Sequence, residues 1–467
     1  MAARFVNIDR DTPLLLPPNL REWVPEGHLA HFVIDVVEEL DLLGFKVNER
    51  GTGSPQYPPR MLLPLLLYSY ATGTFSSRRI EQNTFDSVPV RMITGDEHPD
   101  HDTICTFRRE NQKLIHEAFV RLLELAQKLH FVQVGQLTVA VDGTKVLANA
   151  SKHSAVSYEH AGKSLEQLDL EVKELLQKAE AADRTPLQDG LTIPDEVKRR
   201  QERKAKLAAA RAEIEARARA RAAAEMADYQ KKVDERAARQ ARGEKVGGQE
   251  PQPPSATPKG TDQYNFTDPE SRIMKAGNGQ HFEQCYNPQA AVETQSRLIL
   301  GQRVSPAPND KEQLVPTLGT VPPSLGSVAA ALADSGFYSE AAVKAVEQTP
   351  AGTPTGTVVY SPLDKSSHHR TVADLEQKSE PTAPGAGASV SEIMRYRLRS
   401  AAGKALYKLR QQTVEPVFGI IKSVIGFRQF QLRGLEKVSL EWTLVCLAYN
   451  LRRLHWSGMG AKVAGRG

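Results

Sequence analysis

The chain has 467 residues, 40% hydrophobic and 25% charged, which is room for about two to four structural units with a sizeable core. Sixty Lys and Arg stand against fifty-six Asp and Glu, so the formal net charge of +4 names no nucleic-acid partner and the local distribution has to decide. Three scattered cysteines, Cys105, Cys285 and Cys446, argue against a disulfide framework and a cysteine zinc site. The N-terminus lacks a signal-peptide pattern and the longest apolar run, Met61–Leu67, is too short for a bilayer, so the expectation is a cytoplasmic protein without a membrane segment.

Residues 1–130 read as an all-α domain. From His31 onward, Phe32, Val33, Val36, Val37 and Leu40 share one helical face, and Pro59 opens a second, buried helix behind a Pro-Pro start. The stretch from Asp100 to Arg109 leads into one long amphipathic helix reaching about Leu129, with Asp102 or Thr103 as its cap. Arg78, Arg79, Arg108 and Arg109 either lie on DNA phosphates in the manner of a helix-turn-helix or form a solvated basic face. His98, His101, Asp100 and Asp102 match no zinc spacing and read as capping residues.

A buried β-strand follows. Leu137, Val139 and Val141 alternate with Thr138 and Ala140, Asp142 sits at the end of that run, and Gly143 and Thr144 permit a bend before Val146 and Leu147. A carboxylate there needs a cation or donors. Residues 153–260 read as an inserted helical hairpin with its linker. Leu165, Leu168, Val172, Leu175 and Ala179 form one thin seam, Pro186, Gly190 and Pro194 break it, and a helix over about 195–242 pairs Leu207 with Ile214 and Met226 with Val233 at heptad spacing. Sixteen Lys and Arg against ten Asp and Glu over 195–245 either track DNA or form an exposed charged face, and the prolines of 247–259 make a flexible return.

The β pattern resumes with a hairpin of strands, 282–293 and 297–304, turning at Thr294–Ser296. A helix capped by Asn309 or Asp310 comes next, and then a small, apolar central strand over 328–333 that ends at Asp334. Asp142 and Asp334 can therefore meet across neighbouring strands. Between Arg395 and Lys437 ten Lys and Arg face only Glu415 and Glu436, so Glu415 is a carboxylate set in a basic field, at a helix start or kink before Pro416. Lys422, seven residues on, returns to within about 20° of the Glu415 direction if the segment is one helix.

Val-Asp-Gly-Thr-Lys with Ala-Asn-Ala-Ser, Tyr-Asn-Pro-Gln-Ala-Ala-Val, Ala-Asp-Ser-Gly-Phe-Tyr-Ser, Val-Glu-Pro-Val-Phe-Gly-Ile-Ile-Lys, and Arg-Gly-Leu-Glu-Lys-Val with Ala-Tyr-Asn-Leu-Arg occur in this order. Together with the N-terminal runs ending Ser-Ser-Arg-Arg-Ile-Glu and Thr-Phe-Arg-Arg, they resemble insertion-sequence transposases of the Asp-Asp-Glu type over most of the chain. The resemblance implies an RNase H-like mixed sheet flanked by helices, split by the insertion into 131–152 and 261–455, with a flexible tail over 456–467. It also implies a metal-binding triad of Asp142, Asp334 and Glu415, and a Tyr407, Arg410, Glu415, Lys422 signature on DNA. Four residues separate Arg410 from Glu415, where the related pattern has three.

Three acids without a His or Cys cluster suit two Mg²⁺ ions, with Mn²⁺ as a substitute, acting on a phosphodiester. The expected partners are double-stranded DNA, both transposon terminal inverted repeats and target, and a second copy of the chain on that DNA, in the bacterial nucleoid. Two alternatives stay open: an RNase H-like nuclease or resolvase without strand transfer, and a domesticated DNA-binding protein.

Overall fold

The computed structural model describes residues 19–40, 56–132, 135–182, 193–243, 249–276, 281–363, 381–385 and 387–458. The breaks expected at Pro186 and Gly190, the start of the linker at Gly247 and Gly248, and the end of the tail lie outside them. The chain divides into two compact units, Met1–Val146 with Asn287–Gly467, and Leu147–Tyr286.

In the first unit the N-terminal helices are α1 (Leu29–Glu39), α2 (Pro59–Ala71), α3 (Ser77–Asp86), α4 (Val88–Thr94), α5 (His101–Glu110) and α6 (Gln112–Lys128). The predicted face of α1 is the buried one, and α2 is buried along most of its length. The single helix expected up to Leu129 is two. At Asn111 the backbone leaves helical geometry (φ −107°, ψ 34°), and the buried Asn111 amide donates to the Phe107 carbonyl at 2.9 Å, closing the last turn of α5. The cap of α5 is Asp100, whose carboxylate accepts from Thr103 N at 2.6 Å, rather than Asp102 or Thr103. His101 Nδ1 lies 2.8 Å from Glu81 Oε2 and His98 stacks on Phe85, so both rings join α3 to the start of α5.

The sheet that carries the acids begins with β1 (Gly135–Gly143) and β2 (Val146–Leu147), separated by the bend at Thr144. The second unit then opens with β3 (Ala155–Ser157) and the hairpin helices α7 (Tyr158–Ala182) and α8 (Ile193–Ala241), where Pro194 stands in the first turn of α8. It closes with β4 (Gln263–Asn265) and β5 (Arg272–Ala276). Along its seam Leu168, Leu207, Ala210, Ile214, Ala218 and Ala222 are buried and Leu165, Val172, Leu175, Ala179 and Val233 half-buried, whereas Met226 is exposed. Surface ion pairs supplement it, among them Arg200 with Glu171 at 2.9 Å and Lys204 with Asp169.

β6 (His281–Glu293) pairs with β5 through its first residues and, within the first unit, runs antiparallel to both β1 and β7 (Ile299–Ser305). After α9 (Leu314–Leu318), β8 (Gly326–Ala333) lies parallel to β1. α10 (Glu340–Glu347) leads to β9 (Val358–Tyr360), parallel to β8. The order β7-β6-β1-β8-β9, antiparallel on one side of β1 and parallel on the other, is the RNase H-like mixed sheet.

The chain closes with α11 (Val390–Arg399), α12 (Ala401–Gly419) and α13 (Leu435–Trp456). α13 packs on β7, α2 and α6, and is apolar on nearly every face. One acid is buried in it. Glu441 accepts from the backbone of Gln431 (2.9 Å) and Leu432 (3.0 Å) and from the Tyr70 hydroxyl (3.3 Å), and Arg108 donates to that hydroxyl at 2.8 Å. Burial pushes the Glu441 carboxyl up to about 7 against those donors.

Candidate active site at the end of the sheet

The parallel register of β1 and β8 sets Val141 opposite Ala333, so the next residues, Asp142 and Asp334, stand side by side where the pairing of the two strands ends. Their side chains share a cation. Arg410 Nη2 on α12 lies 2.9 Å from Asp142 Oδ2 and 3.7 Å from Asp334 Oδ2. Asp142 Oδ1 accepts from Gly143 N at 2.8 Å, and Asp334 caps the turn that follows β8 through Ser335 N at 2.5 Å. The Asp142 side chain is 18% exposed and that of Asp334 50%, so water reaches one far more than the other.

Burial pushes the Asp142 carboxyl up to about 6; Arg410 and the Gly143 N–H oppose the rise, and the carboxylates of Asp334 and Asp310 add to it. Tyr407 lies one turn before Arg410 on α12. Its hydroxyl is raised by burial first, then lowered by Arg410, with both aspartates raising it further.

Arg410 was expected on DNA. Its side chain is instead 9% exposed and committed to the two aspartates, because a guanidinium meets the requirement for charge compensation that two abutting carboxylates create. Arg108, also expected on DNA, is buried and hydrogen-bonded to Tyr70, as the core contact with Glu441 requires. Arg78, Arg79 and Arg109 remain exposed.

Glu415 is exposed, five residues past Arg410 and so about 140° further round α12. The helix does not start or stop at Glu415 but continues through Pro416 to Gly419. The following turn, Ile420–Val424, is a π-helix, so the seven-residue phase relation between Glu415 and Lys422 does not carry through it. Lys422 Nζ donates to the Lys145 carbonyl at 2.9 Å, three residues past Asp142. Among the described residues no three His, Cys, Asp or Glu side chains are gathered closely enough to hold a metal ion. Two carboxylates around a cation nevertheless fit a hard divalent ion that takes its other ligands from water and phosphate.

The sequence reading missed a second feature of this end of the sheet. Asp310 caps no helix. Its Oδ1 accepts from Asn287 Nδ2 at 2.7 Å and Gln289 Nε2 at 2.8 Å, both on β6. The available signal was two amides two residues apart, Asn287 and Gln289, and so on one face of β6.

The family model described as Transposase DDE domain matches residues 254–451, a range that holds Asp334, Arg410, Glu415 and Lys422 but not Asp142. The model described as Transposase domain (DUF772) matches residues 18–110, the N-terminal helices. Searches of curated proteins and of solved structures returned no match. No helix among the described residues is long and apolar enough to cross a membrane. The chain thus carries, in order, matches to two transposase domains, the second a DDE domain, and two aspartates abreast at the end of an RNase H-like sheet, which is consistent with an insertion-sequence transposase of the DDE type.

Proposed function

We propose that this transposase binds the terminal inverted repeats of its element, cleaves a phosphodiester at each end and joins the 3′ ends to target DNA. The observation that carries the reading is the pairing of Asp142 with Asp334 around one positive charge. Two divalent ions bound there would supply an activated oxygen nucleophile and stabilise the leaving oxygen.

The residues of the chain do the rest. Asp142 and Asp334 would hold the cations, and Arg410 keeps the two carboxylates together and compensated. Its guanidinium, beside Tyr407, would also suit two oxygens of one phosphate. Lys422 braces the chain leaving β1 through Lys145 and offers its ammonium to the DNA backbone. Glu415 completes the acid set when the turn that carries it shifts. Pro416, which removes one hydrogen bond from the helix, and the π-turn after Gly419 are the local features that permit such a shift.

Arg78, Arg79 and Arg109 present exposed charge for end recognition, and two copies of the chain act on the two ends, in the cytoplasm where the nucleoid is. Incubating a labelled transposon-end duplex with Mg²⁺ and a target plasmid tests the proposal: cleavage followed by joined product is expected. Cleavage without joining makes the protein a nuclease, and binding without cleavage makes it a DNA-binding protein. Loss of cleavage in Glu415→Gln, with end binding retained, is the expected sign that Glu415 joins the site; wild-type cleavage removes it.

A further inference from the structure

From Ile425 to Gly434, between the π-turn and α13, the chain runs as an irregular loop. Phe427 and Phe430 are buried in it, whereas Arg428, Gln429, Gln431 and Arg433 are exposed. Gly426 and Gly434 bound this stretch at φ +82°, a backbone geometry that favours glycine. Over residues 422–437 four cations, Lys422, Arg428, Arg433 and Lys437, stand against one acid, Glu436. Arg428 makes no ion pair among the described residues, and its hydrogen bond there is to the Ser423 hydroxyl at 3.5 Å.

The loop is fixed from inside by a fully buried acid. Glu441 accepts from Gln431 N at 2.9 Å and Leu432 N at 3.0 Å, and Phe427 packs edge-on against Phe430 at 5.2 Å. A buried carboxylate is unfavourable, and a fold that needed only a filled core would be served by an apolar residue of that volume. What Glu441 adds is a set conformation for the exposed side chains on either side of its two backbone bonds. The loop also abuts the N-terminal helices: a Cβ on Gly73 would fall 2.8 Å from the Ile425 carbonyl oxygen, and the Phe75 ring meets Phe427 edge-on at 5.1 Å. α3 starts two residues after Phe75, with Arg78 and Arg79 exposed in its first turn. At its other end the loop follows Lys422, whose ammonium reaches the Lys145 carbonyl three residues past Asp142.

We propose that the 425–434 loop is a preformed seat for the phosphodiester backbone of double-stranded DNA, with Arg428 and Arg433 on the phosphates and Glu441 as the positioning residue that holds their backbone in place. This rests on the reading of the protein as one that binds and cleaves transposon ends, and it adds a contact surface to Arg78, Arg79 and Lys422. A guanidinium fork suits two oxygens of one phosphate, and phosphate contacts set the position of a duplex without reading its sequence. A loop ordered before binding avoids the entropy of ordering it on the DNA.

The test is equilibrium binding of the full-length protein, by fluorescence anisotropy, to a transposon-end duplex and to an unrelated duplex of equal length over a range of KCl concentrations. Arg428→Ala should weaken binding to both duplexes alike, by about fivefold near about 0.15 M salt, and lower the slope of log K against log salt by about one phosphate contact. Arg428→Lys should keep the slope, and Arg428→Ala combined with Arg433→Ala should lower it by about two contacts. Arg121→Ala on α6, an exposed arginine outside the loop that pairs with Glu124, should leave affinity and slope unchanged. Glu441→Gln, verified as folded by near-ultraviolet circular dichroism, should weaken binding with the slope retained, because the same phosphates are then met by a loop that has to be ordered first. In the wild type the Gln431 and Leu432 amides should exchange hydrogen slowly for an exposed loop.

Wild-type affinity and slope in the double arginine variant, with transposon-end binding present in the wild type, overturns the inference while the functional reading stands. A loss confined to the transposon-end duplex overturns it too, because the loop then reads bases, and so does an equal loss in Arg121→Ala, because the effect is then one of general charge. Fast exchange at Gln431 and Leu432, or wild-type affinity in folded Glu441→Gln, overturns the role given to Glu441; if Glu441→Gln does not fold, the exchange rates decide. Failure of the wild type to bind the transposon-end duplex sinks the underlying reading of the protein instead.

Discussion

The acids at the end of the sheet and the acids along the α7–α8 hairpin are carboxylates paired with basic side chains in opposite surroundings. Glu159 and Lys163 meet at 2.7 Å with side chains 64% and 71% exposed, and each holds the other's charge in place: the carboxyl is lowered and the ammonium raised. Asp142 and Arg410 meet at 2.9 Å with side chains 18% and 9% exposed, yet the carboxyl is raised. Desolvation outweighs the ion pair in the second case and is trivial in the first. A pair in the hairpin is cheap decoration on a helix surface; at the sheet end the fold keeps a carboxylate where its charge is unfavourable, which is the mark of a site retained for chemistry.

The sharpest test of that contrast is neutralisation of each acid. Asp142→Asn and Asp334→Asn should each cut end cleavage by at least about 10²–10³-fold, the usual cost of one charge-stabilising group, while a gel-shift assay still shows end binding. Asp142→Asn should at the same time be more stable than wild type by about 1–3 kcal/mol at pH 8 in metal-free buffer, measured by denaturant unfolding. An inactive but less stable Asp142→Asn would show that the carboxylate is structural.

Arg108 probes burial without chemistry. Arg108→Ala takes the guanidinium from the buried Tyr70 and Glu441 and should cost about 3 kcal/mol or more, read as a fall in the unfolding midpoint. DNA binding by the folded fraction should not change, in contrast to a variant at Arg78 or Arg79.

The pH dependence follows from the raised Asp142 carboxyl. A group whose folded value rises from 3.8 to about 6 favours the fold below the lower value, and that contribution is lost as pH rises through about 6. Cation binding needs the ionised form, so Mn²⁺ affinity should run the other way and increase as pH passes through about 6. A flat affinity between pH 5 and 7.5 would detach the cation from Asp142.

Two smaller effects bracket the comparison. Lys422→Ala should lower cleavage and reduce the slope of log K against log salt by about one phosphate contact, and an unchanged rate with an unchanged slope removes it from the DNA surface. Glu159→Ala in the hairpin should shift stability by no more than about 0.5 kcal/mol and leave cleavage at the wild-type rate.

Local pattern was enough to read α1, the run of β1 from Leu137 to its bend after Asp142, the 282–304 hairpin and both strand-end aspartates, because each rests on periodicity or on one polar residue at the end of an apolar run. The break at Asn111 was not legible, since an Asn inside an amphipathic run reads as a surface residue until its amide is seen to close on Phe107. The motif order alone likewise marked Tyr407, Arg410, Glu415 and Lys422 as a set, without saying which of them face which way.

The sequence by itself determined that two aspartates sit at the ends of buried strands, that a helical hairpin interrupts the fold between them, and that a basic helix follows. These are local facts of residue type and spacing. Only the tertiary structure decided that β1 and β8 run parallel in the register that sets Asp142 beside Asp334, that Arg410 turns inward to both, and that Arg108 is core. It also decided that Asn287 and Gln289 bring Asp310 against Gly143. A side chain's partner across the sheet is fixed by strand order and register, and neither is written in the spacing of residues along one strand.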